Sequence, residues 1–318
     1  MSSDIGQQMQ QLYSQFGQLD GVVIELHKEL LAVRITNKAA TATVFLQGAQ
    51  VSHYQTAGKP AVIWCSDTCD YREGTPLRGG IPVCWPWFGD IHRNANAVQQ
   101  QIPAAGENLT AHGFVRSRLW ELASVETPDP HTTRLELQLS LADNEEPLWP
   151  YACELSMVIT VGESLSLDFS VNNLSSETVS FASALHTYFG VNAIDDTIVG
   201  GLDEHTYIDS LDDWQEKQQH GSLVIDQEVD RIYRGTDHAI TIKDAQQRIT
   251  LESEGSNSAI VWNPWIDKSK RLSNFADDDY LRMLCIETAN AEQDYIELAP
   301  GSRHHLKLSI STARLVGK

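Results

Sequence analysis

The sequence predicts an all-β protein, a large sandwich or barrel-like double sheet of antiparallel strands with few short helices. Three observations carry this. Apolar residues alternate with polar ones at Leu135, Leu137, Leu139 and Leu141, and again at Leu165, Leu167, Phe169 and Val171. Alternation with period two marks half-buried strands. Turn-forming clusters, Val161-Gly162-Glu163-Ser164 and Asn172-Asn173-Leu174-Ser175-Ser176, punctuate these runs. No strand–helix–strand rhythm recurs, which disfavours a parallel α/β sheet.

Taken in order, residues 1–20 form an N-terminal helix or tail. The Gln-rich stretch Ile5 to Leu19 spaces Met9, Leu12, Phe16 and Leu19 helically. From 21 to 318 no Ser/Gly/Pro linker interrupts the chain, so a single β-sandwich domain is expected. The segment Leu77 to Gly89, LRGGIPVCWPWFG, suits neither a helix nor a central strand, because each Pro removes a donor and Gly-Gly adds freedom. It reads as a rigid loop. Its aromatic faces fit a sugar ring or, equally, the plugged end of a sandwich. Arg78 offers a planar fork for phosphate or carboxylate. Ala111 to Arg116, AHGFVR, brings His112 and Arg116 together beside a glycine.

Ala184 to Phe189 sets His186 in an apolar and aromatic run, where a histidine is either a satisfied core group or an acid. Glu228 to Tyr233 alternates charged and apolar residues and reads as an edge strand with a solvated face. Strand runs follow at Ile240 and Ile242, at Ile249 and Leu251, and at Leu306, Leu308 and Ile310. Val261 to Trp265, VWNPW, is a second aromatic loop shaped by proline. Glu287 follows the apolar run Met283 to Ile286 and is expected at the end of a buried strand. Desolvation there raises a carboxylate pKa and makes a better base at neutral pH, unless a salt bridge absorbs the charge. The acidic pairs at 195–196 and 212–213 and the triplet at 277–279 read as solvated loops. The last lacks the spaced ligands and turn glycine of a calcium-binding loop.

The 318 residues are 42% hydrophobic and carry a formal charge of −20, the balance of an ordinary globular protein with a strongly acidic surface. That field repels nucleic acid and anionic lipid, so neither is an expected partner, and an anionic substrate needs a local basic cluster. Five cysteines without paired CxxC spacing read as reduced thiols rather than a zinc site or disulfides. No basic region leads into an apolar core at the N-terminus and no run is long enough to span a bilayer, so a cytoplasmic protein is expected. HExxH, GxGxxG, Walker and GxSxG motifs are absent, so no metal, nucleotide or other cofactor is called. The residues that remain form a sugar-site inventory: Trp85, Trp87, Trp262 and Trp265 as platforms, Arg78 and Arg116 as forked cations, His186 and Glu287 as acid and base.

The ordered set RGGIPVCWPWFG, HGFVR, LHTYF, EVDRIY, VWNPW and CIETAN resembles the glucose-6-phosphate 1-epimerases, hexose-6-phosphate mutarotases of the aldose 1-epimerase superfamily. The resemblance runs from about residue 20 to the C-terminus. It implies a galactose-mutarotase-like β-supersandwich, a monomer, and no cofactor. It also implies catalysis at the anomeric carbon, with His186 protonating the ring oxygen and Glu287 taking the C1 hydroxyl proton. That pair is expected on opposite sides of the pyranose. Asp230 would bind sugar hydroxyls, Arg78 and Arg116 phosphate, and His112 and Trp85 would border the sugar. Many relatives carry Lys or Gln where this chain has Ala111, so Arg93 or Lys59 is a candidate to supplement the phosphate grip. The substrate so implied is a hexose 6-phosphate. The alternatives are a mutarotase for unphosphorylated aldoses and a non-catalytic carbohydrate-binding protein of the same fold.

Overall fold

A computed structural model describes residues 3–103, 109–236 and 238–315. Two large antiparallel sheets carry the architecture. The nine-stranded sheet runs in the order Leu223–Val224, Ile198–Gly200, Ile240–Lys243, Gln247–Glu254, Arg303–Arg314, Leu165–Asn173, Cys153–Val161, Thr132–Leu141 and Glu121–Asp129. The period-two runs all fall inside it. Leu135, Leu137, Leu167, Phe169, Ile249, Leu306 and Ile310 are buried, and the strand from Cys153 turns at Val161-Gly162-Glu163-Ser164 into the next. Each side chain one step along the strand points the other way, which is why the pattern was readable.

The eight-stranded sheet positions the site. Its path is Gln215–Gln218, Thr206–Asp209, Val229–Arg234, Ser258–Asn263, Met283–Asn290, Ser183–Leu185 and Val83–Cys84, with Tyr188–Gly190 also paired to Met283–Asn290. Alternation splits its strands between two apolar clusters. Val229, Tyr233, Val261, Leu284 and Ile286 join the main core with the nine-stranded sheet. Ile232, Ile260, Trp262, Cys285 and Ala289 face the other way into a second cluster. All eight residues of Met283–Asn290 are therefore buried. A four-stranded meander, Val22–His27, Leu30–Thr36, Ala40–Phe45 and Gln50–Thr56, flanks these sheets. The N-terminal helix spans Ser3–Phe16 and buries Leu12.

Five expectations change. Val261 to Trp265 is not a loop: Val261, Trp262 and Asn263 end the strand Ser258–Asn263, and Trp265 opens a short helix to Ser269. Val229–Arg234 is not an edge strand: it pairs with Thr206–Asp209 on one side and Ser258–Asn263 on the other. Of its charged residues, Asp230 lines a cavity together with Ile232. Glu287 is not at a strand end but inside Met283–Asn290, opposite Ile260. The 77–89 segment is not loop throughout, because Val83–Cys84 pairs with Ala184 and Leu185. Asp195, Asp196, Asp212, Asp213, Asp277 and Asp278 are exposed as expected, but Asp279 is buried, accepting hydrogen bonds from the Ser66 hydroxyl at 3.0 Å and the Ala276 N–H at 2.8 Å.

Candidate active site

Strand pairing alone brings His186 to Glu287. Leu185 lies opposite Thr288 and Tyr188 opposite Cys285, both across one strand. The two residues between them, His186 and Thr187, therefore span Ile286 and Glu287, and the Ile286 N–H donates to the Thr187 carbonyl at 3.2 Å. The His186 N–H is held by the Pro82 carbonyl at 3.0 Å. The outcome is an imidazole Nε2 placed 3.4 Å from Glu287 Oε1, with the two side chains only 9% and 2% exposed.

The pair stands in the wall of a cavity of about 470 Å3 built on the outer face of the eight-stranded sheet. Asp230, Ile232, Ile260, Trp262 and Glu287 come from neighbouring strands of that face, and Arg78, Phe88, Arg93 and His112 come from the loops above it. Tyr188 stacks flat on His186, with ring centroids 4.8 Å apart at 10°. His112 meets His186 edge-on at 5.3 Å. Its Nδ1 accepts the Gly89 N–H at 3.2 Å, which ties the two aromatic loops together. Gly113 is required here: its φ is +69°, and a Cβ would stand 1.8 Å from the Trp85 carbonyl oxygen. A larger cleft of about 890 Å3 lies elsewhere and contains neither His186 nor Glu287, so the chemistry rather than the size selects the smaller cavity.

Burial, with the Asp230 carboxylate nearby, pushes the Glu287 carboxyl well above the usual range. Burial, with the Arg116 and Arg78 cations nearby, pulls His186 down to about 3. A protonated carboxyl and a neutral imidazole are thus favoured. Glu287 Oε2 and His186 Nδ1 are buried without a hydrogen-bond partner among the described residues, which leaves both available to a ligand. Asp230 is also raised by burial, while Lys268, 3.6 Å away, opposes the shift.

Arg78 and Arg116 share a side chamber of about 200 Å3 with Ser273, Asn274, His186 and Tyr188. It joins the main cavity through Arg78, His186 and Tyr188, which line both. Arg78 Nε donates to the Ser273 carbonyl at 3.3 Å, and its cation is near Tyr188. Arg116 donates to the Ala111 carbonyl at 2.6 Å, and its Nε is buried without a partner among the described residues. Ala111 thus holds Arg116 through its main chain.

The structure does not bring every expected residue to the cavity. Trp85 is fully buried, packed against Phe114, Trp149 and Phe181, and lines no part of it. Trp87 is 1% exposed and donates to the Thr110 carbonyl, and Trp265 packs on Tyr280. Of the four tryptophans expected as platforms, only Trp262 lines the cavity. The others cover apolar surface, a use that an aromatic-rich loop serves equally well. Lys59 is also elsewhere, bound to the Thr312 carbonyl at 2.7 Å, whereas Arg93 does enter the cavity. His186 and Glu287 are adjacent, with Nε2 3.4 Å from Oε1. Tyr188, Lys268 and Trp214 were not singled out from sequence. Tyr188 lies in the LHTYF motif, whereas Lys268 and Trp214 carry no local signal.

Residues 32–311 match the protein family described as aldose 1-epimerase. An Escherichia coli (strain K12) protein named "Putative glucose-6-phosphate 1-epimerase" is 31% identical over 289 residues, covering 90% of this chain and 92% of its own. A protein of the same name from Cenchrus ciliaris is 30% identical over 281 residues, covering 85% and 80%. The crystal structure described as "a putative mutarotase" from Salmonella typhimurium shares the fold with a TM-score of 0.84 at 24% identity, covering 94% of this chain and 95% of that one.

Proposed function

The chain belongs to the aldose 1-epimerase family, and we propose that within it the protein interconverts the α and β anomers of glucose-6-phosphate. The carrying observation is the buried His186–Glu287 pair, 3.4 Å apart, next to a chamber lined by two arginines. Glu287 accepts the C1 hydroxyl proton while His186 donates a proton to the ring oxygen. The C1–ring-oxygen bond breaks, leaving an aldehyde at C1. Rotation about the C1–C2 bond presents the other carbonyl face. His186 then takes the proton back from the C5 hydroxyl as that oxygen attacks C1, and Glu287 returns a proton to the carbonyl oxygen. Asp230 and His112 hold sugar hydroxyls, and Trp262 covers an apolar ring face.

Phosphate enters this account as more than an anchor. Ring opening starts from imidazolium and carboxylate, but burial favours the neutral pair. The cations opposing His186 protonation are Arg116 and Arg78, after burial itself. A phosphate dianion between them offsets that opposition and raises the proton affinity of His186. Two forked cations also exceed what a neutral sugar needs.

Anomer exchange measured by NMR on glucose-6-phosphate and on glucose tests the reading. Catalysed exchange of the phosphorylated sugar at much higher kcat/KM is expected. Equal or greater efficiency on glucose points to an aldose mutarotase, and binding without exchange points to a carbohydrate-binding protein.

A further inference from the structure

We propose that Lys268 is a positioning residue of the sugar site, holding the Asp230 carboxylate in place as the acceptor for hydroxyls of the hexose. This rests on the role proposed above for Asp230. Lys268 Nζ lies 3.1 Å from Glu228 Oε1 and 3.6 Å from Asp230 Oδ2, and 5.8 Å from the centre of the Trp262 ring. Lys268, Asp230 and Trp262 all line the cavity that holds His186 and Glu287. One ammonium thus reaches two carboxylates and an aromatic ring on one face of the sheet.

Strand geometry gathers these partners. Glu228 and Asp230 are two residues apart, so in extended chain they share a face. Asp230 lies opposite Trp262 where Val229–Arg234 pairs with Ser258–Asn263. The VWNPW segment then delivers the cation. Asn263 ends its strand fully buried, and its Nδ2 donates to the carbonyls of Tyr280 at 3.0 Å and Met283 at 2.9 Å. Its Oδ1 accepts the Trp265 N–H at 2.9 Å. Pro264 follows with φ −71°, and Trp265 stands in the left-handed region at φ +53°. The short helix Trp265–Ser269 begins there, tied by the buried Ser269 hydroxyl to the Trp265 carbonyl. The chain doubles back, and Lys268 comes to stand over the strands that carry Asp230 and Trp262. The segment thereby gains a use that Trp265, packed on Tyr280, does not supply.

A sugar hydroxyl donates more strongly to a carboxylate than to a carboxyl. Burial and the Glu228 charge both favour the protonated form of Asp230, and the Lys268 ammonium opposes them. Several elements pack around this carboxylate. Glu287 and Cys285 face it from Met283–Asn290. Ser210, in the turn after Thr206–Asp209, donates its N–H to the Asp230 carbonyl at 3.1 Å. The cavity wall also carries the cations Arg78 and Arg93, the acids Asp90 and Glu292, and the imidazoles of His112 and His186. Among the described residues, Lys268 is the cation within ion-pair distance of Asp230.

Anomer exchange on glucose-6-phosphate is measured between about pH 4.5 and 8 for wild type, Asp230→Asn, Lys268→Met, Lys268→Arg and the double variant Asp230→Asn/Lys268→Met, each with near-native circular dichroism. Lys268→Met is expected to raise KM about threefold or more at neutral pH, the scale of a partly exposed ion pair, with kcat within about twofold of wild type. Lys268→Arg keeps the cation and recovers most of that loss. In the Asp230→Asn background Lys268→Met adds less than about twofold, because the group that Lys268 positions is gone. Without the ammonium Asp230 takes up its proton at higher pH, so the acid-side fall of 1/KM moves up by about one pH unit in Lys268→Met. The substrate phosphate titrates alike in every variant, so its own ionisation cancels in the comparison. Fully additive losses, an unmoved acid-side fall, or a kcat loss as large as the KM rise overturns the inference and leaves the anomer exchange standing. No exchange by wild type, or an unchanged KM in Asp230→Asn, overturns the proposed site and this inference with it.

Discussion

Nε2 of His186 lies 3.4 Å from Oε1 of Glu287, and one strand, Met283–Asn290, sets that distance by pairing with both Ser183–Leu185 and Tyr188–Gly190. At that distance the two side chains can exchange one proton. Glu287→Gln keeps the shape and removes the proposed base, and His186→Ala removes the proposed acid. Each is expected to lower kcat for anomer exchange by roughly 10²- to 10⁴-fold, with near-native circular dichroism. Retained activity in either folded variant rejects the assignment of roles.

Arg78 and Arg116 should discriminate between substrates by holding phosphate. Arg78→Ala is expected to raise KM for glucose-6-phosphate by about 10-fold or more, from the loss of hydrogen bonds to a charged group. Any weak exchange of glucose should not fall, because a cation opposing His186 protonation is removed. A parallel loss on both sugars would place Arg78 outside phosphate recognition.

The buried pair also makes stability depend on pH in two opposite ways. His186 is depressed from 6.5 to about 3, so the unfolded chain binds its proton first as pH falls. Its contribution is intact above 6.5 and is lost as pH falls through that window. Glu287 is raised, so the folded chain keeps its proton longer as pH rises, and stability is lost as pH climbs above the ordinary 4.5 toward the folded value. Glu287→Gln removes that second loss. Thermal melts are expected to show a midpoint at pH 8 a few degrees above wild type, with a smaller difference at pH 4.5. An equal or lower midpoint at pH 8 counts against a buried, raised carboxyl.

Two tryptophans separate wall from core. Trp85 is fully buried among Phe114, Trp149 and Phe181, so Trp85→Ala should cost about 3–5 kcal/mol in denaturant unfolding. Trp262 lines the cavity, so Trp262→Ala should chiefly raise KM. Reversal of these effects would undo the placement of both.

Gly113→Ala should fail to give stable folded protein, because its Cβ would meet the Trp85 carbonyl oxygen at 1.8 Å. Recovery of wild-type melting and activity would show that the HGF loop has slack.

Much of this molecule was legible before folding. The strands from Thr132–Leu141 to Arg303–Arg314 announced themselves because a strand buried on one face must alternate, and alternation is a local property of the chain. The candidate site residues His186, Glu287, Arg78, Arg116, Asp230 and His112 lie in short motifs whose order along the chain carried the resemblance. Strands buried on both faces lose the alternation, which is why Met283–Asn290 gave only an apolar run and Glu287 seemed to terminate it. Whether an aromatic faces ligand or core is likewise not local. Trp85 and Trp262 sit in similar proline-containing segments, and only the packing of distant elements sends one inward and one to the cavity wall. Lys268 beside Asp230 and Arg93 within the cavity depend on those same long-range contacts. Sequence by itself determined the strand-rich fold and the inventory of chemical groups. Tertiary structure alone decided that His186 and Glu287 stand side by side and that Trp85 is core, because both follow from pairings between segments far apart in the chain.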